Sequence, residues 1–181
     1  MADIRVLYTE EMIGYGHPSK QDTLNRGLMV SHDASGHHSS VDFPSFYLDS
    51  NGTGQSITTT GATTINLSTA GIRFNEGFTI SSTGFSCPST GKYLVGASIR
   101  PKNGLAGIYE TILLFRNSSK IAEGNLINAH ATNYYQNSIN AIVACESTTD
   151  IFSFKYYLSG GTAALASDAN CQYFYSYKVG P

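Results

Sequence analysis

Tryptophan is absent from the 181 residues, and charge is scarce. Asp, Glu, Lys and Arg make up 13% of the chain, against roughly 25% in an ordinary soluble domain. Eleven bases against thirteen acids leave a net charge of −2, with no basic cluster. Nucleic acid is therefore not an expected partner, because phosphate neutralisation needs clustered Lys and Arg. No apolar run reaches the ~18 residues of a membrane-spanning helix, so membrane insertion is not expected either. No apolar stretch follows Met1-Ala2-Asp3-Ile4-Arg5, so the start does not read as a secretory signal. Cysteine is low and odd in number, at Cys87, Cys145 and Cys171. That is not a disulfide framework, and it suits synthesis in a reducing compartment. Cys145 alternates with Ile139 and Val143 and reads as a small buried hydrophobe. A Cys87–Cys171 pair stays open.

Catalytic patterns are missing too. There is no G-x-S-x-G elbow, and residues 45–181 contain one histidine, His130. Glu146 and Asp150 flank Ser147-Thr148-Thr149 and read as turn residues. The expectation is a non-enzymatic protein with no catalytic residues and no cofactor. His32, Asp33, His37 and His38 match no zinc spacing and read as a solvated linker, so no metal is expected. Asp49-Ser50-Asn51-Gly52 lacks the downstream Glu of a calcium loop and reads as a hairpin turn.

What the chain has instead is small neutral polarity and aromatic rings. It carries 22 Ser, 17 Thr, 12 Asn and 18 Gly, with 12 Tyr and 9 Phe. Charge divides it near residue 44. Residues 1–49 hold seven acids against three bases, and residues 50–181 hold eight bases against six acids. The helix-like sequence lies in the first part. Pro18 and Ser19 with Asp22 resemble a helix start with a capping box, and Leu24 and Leu28 form a short apolar stripe. Residues 31–40 read as a linker. We therefore divide the chain into an arm, residues 1–44, and a domain, residues 45–181.

In the domain the hydrophobic period becomes two. Ile139, Ala141, Val143 and Cys145 alternate with polar or small residues, as do Phe152, Phe154, Tyr156 and Leu158. Tyr173, Tyr175 and Tyr177 share one face. Turn residues at Asn51-Gly52, Asn103-Gly104, Asn117-Ser118 and Ser159-Gly160-Gly161 separate the runs. Eight to ten such strands predict an all-β sandwich or barrel. A sandwich this poor in charge lacks one usual defence against strand pairing between molecules, so part of its surface is expected to be covered by partner subunits. The candidates for that subunit interface are Phe152, Phe154, Tyr156, Tyr173, Tyr175 and Tyr177. In the loop 129–137, His130, Asn133, Tyr134 and Tyr135 combine aromatic faces with amide and imidazole donors, which suits contact with a host-surface glycan.

Two resemblances add to this. Phe78, six residues, Phe85, five residues, Gly91, one residue and Tyr93 resemble the aromatic signature of the complement globular-head domain. That family shares a ten-strand jelly roll with the tumour necrosis factor superfamily. Leu67, Arg73, Val95 and Ala97 stand where the signature has Phe, Asn or Asp, Phe and an aromatic. The resemblance implies a jelly-roll β-sandwich that packs as a homotrimer about a threefold axis. Gly14-Tyr15-Gly16-His17-Pro18 and Asp22-Thr23-Leu24-Asn25-Arg26 resemble an N-terminal stretch of small structural proteins of tailed bacteriophages. That resemblance implies a virion surface protein, such as a head fibre, tail-fibre knob or capsid decoration protein, assembled in the host cytoplasm. The arm would bind a capsid, collar or tail protein through Tyr15, His17, Pro18, Asp22, Leu24, Asn25 and Arg26. The alternatives are a glycan-binding receptor-recognition module of a tail fibre and a secreted ligand of the tumour necrosis factor type.

Overall fold

The computed structural model describes residues 44–58, 60–102, 108–128, 135–166 and 172–181. The helix-like stretch, the candidate histidine cluster and all seven anchoring candidates lie outside these residues. Apart from one 3₁₀ turn at Thr69–Gly71, every regular element of the described residues is a strand. No helix among them is long and apolar enough to cross a membrane.

Among the described residues, fifteen strands form three antiparallel sheets. The first sheet runs in the order β12 (Asn137–Cys145), β7 (Gly91–Ile99), β15 (Tyr173–Gly180), β1 (Ser45–Asp49) and β4 (Ile72–Asn75). The second runs β10 (Ser119–Glu123), β9 (Tyr109–Arg116), β13 (Phe152–Leu158), β6 (Gly84–Ser86) and β5 (Thr79–Ser81). Two short strands join it, β11 (Ile127–Asn128) on β9 and β3 (Gly61–Thr64) on β13. A small third sheet holds β2 (Gln55–Ile57), β14 (Ala163–Leu165) and β8 (Pro101–Lys102). The count exceeds the expected eight to ten because many segments are only two to four residues long.

The two large sheets bury one aromatic-rich core. Phe46 from the first sheet meets Phe85 from the second at 4.8 Å between ring centroids, edge to face. Phe85 stacks on Phe152 at 5.6 Å and lies 6.2 Å from Phe154. Phe78 touches Phe46 and Tyr93 at 4.9 and 5.7 Å. Edge-to-face and offset pairs at these separations are the favoured aromatic geometries. The spaced residues Phe78, Phe85 and Tyr93 thus come together as one cluster. Gly91 belongs to the same pattern for a steric reason. Its φ is +139°, and a Cβ there would come within 2.7 Å of the Gly180 carbonyl. Leu67, Val95 and Ala97 are buried in the same core, so smaller residues fill the positions where the resemblance expects rings. Arg73 instead reaches across to Asp49, 2.6 Å from Nε to Oδ2.

The burial corrects one expectation. Phe152, Phe154 and Tyr156 are fully buried inside their own sandwich, so they are core residues rather than a subunit interface. Their strand β13 is central in its sheet, and these side chains point at the first sheet. The tyrosines of β15 point the other way: there Phe174 and Ser176 face the core, and Tyr177 is 41% exposed. Asn51-Gly52 is a turn with both φ angles positive, but it joins β1 of the first sheet to β2 of the third, so it is not the expected hairpin.

Phe85 touches rings from both sheets, so Phe85→Ala should lower stability by about 3–5 kcal/mol. Urea unfolding should show an earlier midpoint with an unchanged slope.

Candidate functional site

The outward face of the first sheet carries a run of rings. The spacing of two along β15 places Tyr173, Tyr175 and Tyr177 side by side, as any extended strand does. Their centroids are 6.4 and 6.5 Å apart, with planes tilted by 23° and 14°. The run continues onto β1 and β4. Tyr47 lies 5.9 Å from Tyr173 and 6.2 Å from Phe74. Five rings thus form one nearly parallel ladder. Phe74, Ile142, Tyr177 and Val179 are the exposed large apolar residues of the first sheet.

The ladder is positioned by a gap in the sheet. Asn140, Gly96 and Tyr175 are register partners across β12, β7 and β15. Gly96 has no side chain, so the Tyr175 ring lies over its backbone and the hydroxyl donates to Asn140 Oδ1 at 2.5 Å. A Cβ at Gly96 would occupy the space of the ring. Burial, then the neighbouring tyrosines, pushes the Tyr175 hydroxyl above its ordinary value. Burial and then Asp49 do the same to Tyr47. Both stay protonated at neutral pH, so the two rings add no charge to the face.

A second polar arrangement lies at the end of the sandwich where β9 and β12 begin. Glu110 on β9 is fully buried. It accepts hydrogen bonds from the hydroxyls of Tyr135 and Tyr156. Burial raises its carboxyl above the ordinary 4.5, opposed by the Tyr135 hydrogen bond. Gln136 donates to Ser98 Oγ at 2.6 Å. Tyr135 is half-buried and turns its hydroxyl to the interior. His130, Asn133 and Tyr134 lie outside the described residues. The buried role of Glu110 had no sequence signal, because it sits in a strand whose other residues are ordinary.

The remaining candidates resolve into structural roles. Asp150 Oδ2 accepts the backbone N–H groups of Glu146 and Ser147 at 3.0 Å each, and Asn117 donates to Oδ1. These bonds, the Asn117 one first, hold its carboxyl below the usual range. Glu146 pairs with Arg116 at 2.9 Å. Cys145 is buried as expected and its thiol donates to the Ser147 carbonyl at 3.2 Å, and Cys87 is equally buried. Both are free thiols, and burial pushes both up, which makes them poor nucleophiles. Cys171 lies outside the described residues. Among the described residues no three His, Cys, Asp or Glu side chains are grouped to hold a metal.

No protein-family model matches the chain, and no curated protein matches it in sequence. Solved structures do match in shape. A tumour necrosis factor, Eiger from S. frugiperda, superposes with a TM-score of 0.56 at 10% identity, covering 76% of this chain and 92% of that one. Murine APRIL gives 0.53 at 13% identity, covering 75% and 98%. The vertex protein P5 of phage PRD1 gives 0.53 at 17% identity, covering 75% and 72%. The described domain is thus a jelly-roll β-sandwich of the tumour necrosis factor type.

The raised Glu110 carboxyl fixes a sign for pH dependence. The folded chain holds that proton more tightly than the unfolded chain. Below 4.5 the two states bind it alike; above that, the unfolded state releases it first and folding loses stability until the folded group also ionises. Glu110→Gln keeps an acceptor and removes the titration. The difference in melting temperature between variant and parent should therefore rise in the variant's favour as pH climbs from 4.5.

Proposed function

We propose that the chain is a non-enzymatic structural protein of a bacteriophage virion. It would be a homotrimeric surface knob, as a head fibre or decoration protein, anchored through residues 1–44. The observation that carries this reading is the aromatic ladder on the outer face of the first sheet. A soluble monomer seldom leaves such a contiguous apolar surface to water. Burying it at ~25 cal/mol per Å² offers a driving force for association, and no charge on Tyr47 or Tyr175 opposes contact with an apolar flank of a neighbouring subunit. A closed ring of identical subunits covers one such patch per subunit without leaving a free end. The jelly-roll neighbours of the tumour necrosis factor type support self-association, and the vertex protein neighbour supports display on a virion.

In this reading Tyr173, Tyr175 and Tyr177 keep their interface role, joined by Tyr47, Phe74 and Ile142. Tyr15, His17, Pro18, Asp22, Leu24, Asn25 and Arg26 contact the capsid, collar or tail protein. The protein is assembled in the host bacterial cytoplasm and acts on the particle.

Light scattering should give about three times the 19.5 kDa chain mass. The double variant Tyr175→Glu, Tyr177→Glu places charge on the ladder and should give a folded monomer; a wild-type monomer at micromolar concentration would rule the trimer out. A chain starting at Pro44 should still assemble but no longer bind particles. Retained decoration by that chain would overturn the anchoring role.

A further inference from the structure

One cavity lies at the end of the first sheet where β1 finishes and β15 begins. Its volume is about 110 Å³, and Ser50, Thr53, Gln55, Asn66, Ser68 and Gln172 line it with Phe174. The opposite end of the same two strands holds Pro44, whose carbonyl accepts from Lys178. The cavity is therefore on the end turned away from residue 44.

Its walls are braced by hydrogen bonds. The Gln172 carbonyl accepts from Ser50 N at 3.1 Å, and Ser50 O accepts from Thr53 N at 2.8 Å. Gln55 ties the neighbouring loop from both ends of its amide: Nε2 donates to Thr64 O, and Oε1 accepts from Asn66 N, both at 2.8 Å. Below the turn, Asp49 accepts from Asn51 N at 2.7 Å and pairs with Arg73.

The chemistry of the lining is specific in one respect: no ionisable side chain belongs to it. Hydroxyls and amides supply every polar group. One of these is unmet. Gln172 is 3% exposed, and its Nε2 has no hydrogen-bond partner. Asn137 Oδ1, at the same end of the sheet, is also buried without a partner. Buried amide atoms left unpaired cost free energy and are rare. A half-turn of the Gln172 amide exchanges its nitrogen and oxygen, which are placed by hydrogen-bond context alone.

The geometry points to this cavity as a binding site for an uncharged sugar residue. A cavity of this size and polarity holds several waters, and the hydroxyls of one pyranose edge replace such waters while keeping their hydrogen bonds. Charged sugars are disfavoured, because no cation meets a carboxylate and burying it unpaired is costly. A single site this small binds weakly, and a trimer with three copies gains by avidity. The inference extends the display reading by giving the far end of the knob a ligand, and its test is independent of assembly.

The test is saturation-transfer difference NMR on the full-length protein. The probes are glucose, galactose, mannose and N-acetylglucosamine, with glucuronate as the anionic control. A saturable millimolar signal is expected from at least one neutral sugar and a weaker one from glucuronate. Gln172→Leu removes the amide at similar volume and should weaken binding about tenfold. Ser68→Trp puts a large ring into the lining and should abolish it, with melting temperature and oligomeric state unchanged. No saturable signal from any neutral sugar, a stronger one from glucuronate, or a signal that survives both variants overturns the proposal. Sugar binding by a monomer would instead fail the display reading and leave this site standing.

Discussion

The contact between Phe46 and Phe85 joins the two sheets, and the rest of the domain is arranged around it. Phe46 lies on β1, the strand that carries Tyr47 to the outer face and ends at the cavity. Phe85 lies on a three-residue strand whose Ile80 and Phe152 register partners fix it in the second sheet. Its neighbour Gly84 must be glycine, since a Cβ would come 2.5 Å from the Phe152 carbonyl. Tight packing on one side of β1 therefore sets which side chains of that strand are left for the other. The core selects Phe46 and Leu48, and alternation hands Tyr47 to the surface.

The same economy explains the scarcity of charge. Of the charged groups described above, Glu110 is satisfied by two phenols inside the domain, and Asp49, Asp150 and Glu146 each brace a turn or a strand end. The polar surface that charge normally supplies comes from Ser, Thr and Asn. Such a surface tolerates close approach of a second protein face or of a sugar better than one studded with lysines, whose side chains resist being ordered.

Much of this was legible from spacing. The period of two in 139–145, 152–158 and 173–177 places three strands and their two faces correctly, and Asn51-Gly52 marks a real turn. What spacing does not give is which face turns inward. Phe152, Phe154 and Tyr156 show the same alternation as Tyr173, Tyr175 and Tyr177, yet one set is core and the other surface. The difference lies in their partners. Tyr156 has Glu110 to receive its hydroxyl, and a buried phenol without such a partner would be costly. On β15 the inward positions hold Phe174 and Ser176, so the tyrosines take the outer face. Long-range pairings of this kind, Tyr156 with Glu110 or Tyr175 with Asn140, leave no local mark. The cavity was invisible for the same reason: its lining comes from three separated segments of unremarkable polar residues.

The ladder from Phe74 to Tyr177 also has an optical side. With no tryptophan in the chain, the phenols dominate its near-ultraviolet spectrum. Rings held nearly parallel at about 6 Å couple their electronic transitions, so the outer face of the first sheet imprints its own circular dichroism on the molecule. The aromatic outer face of the sheet is thus the one whose condition can be read in solution without attaching any label.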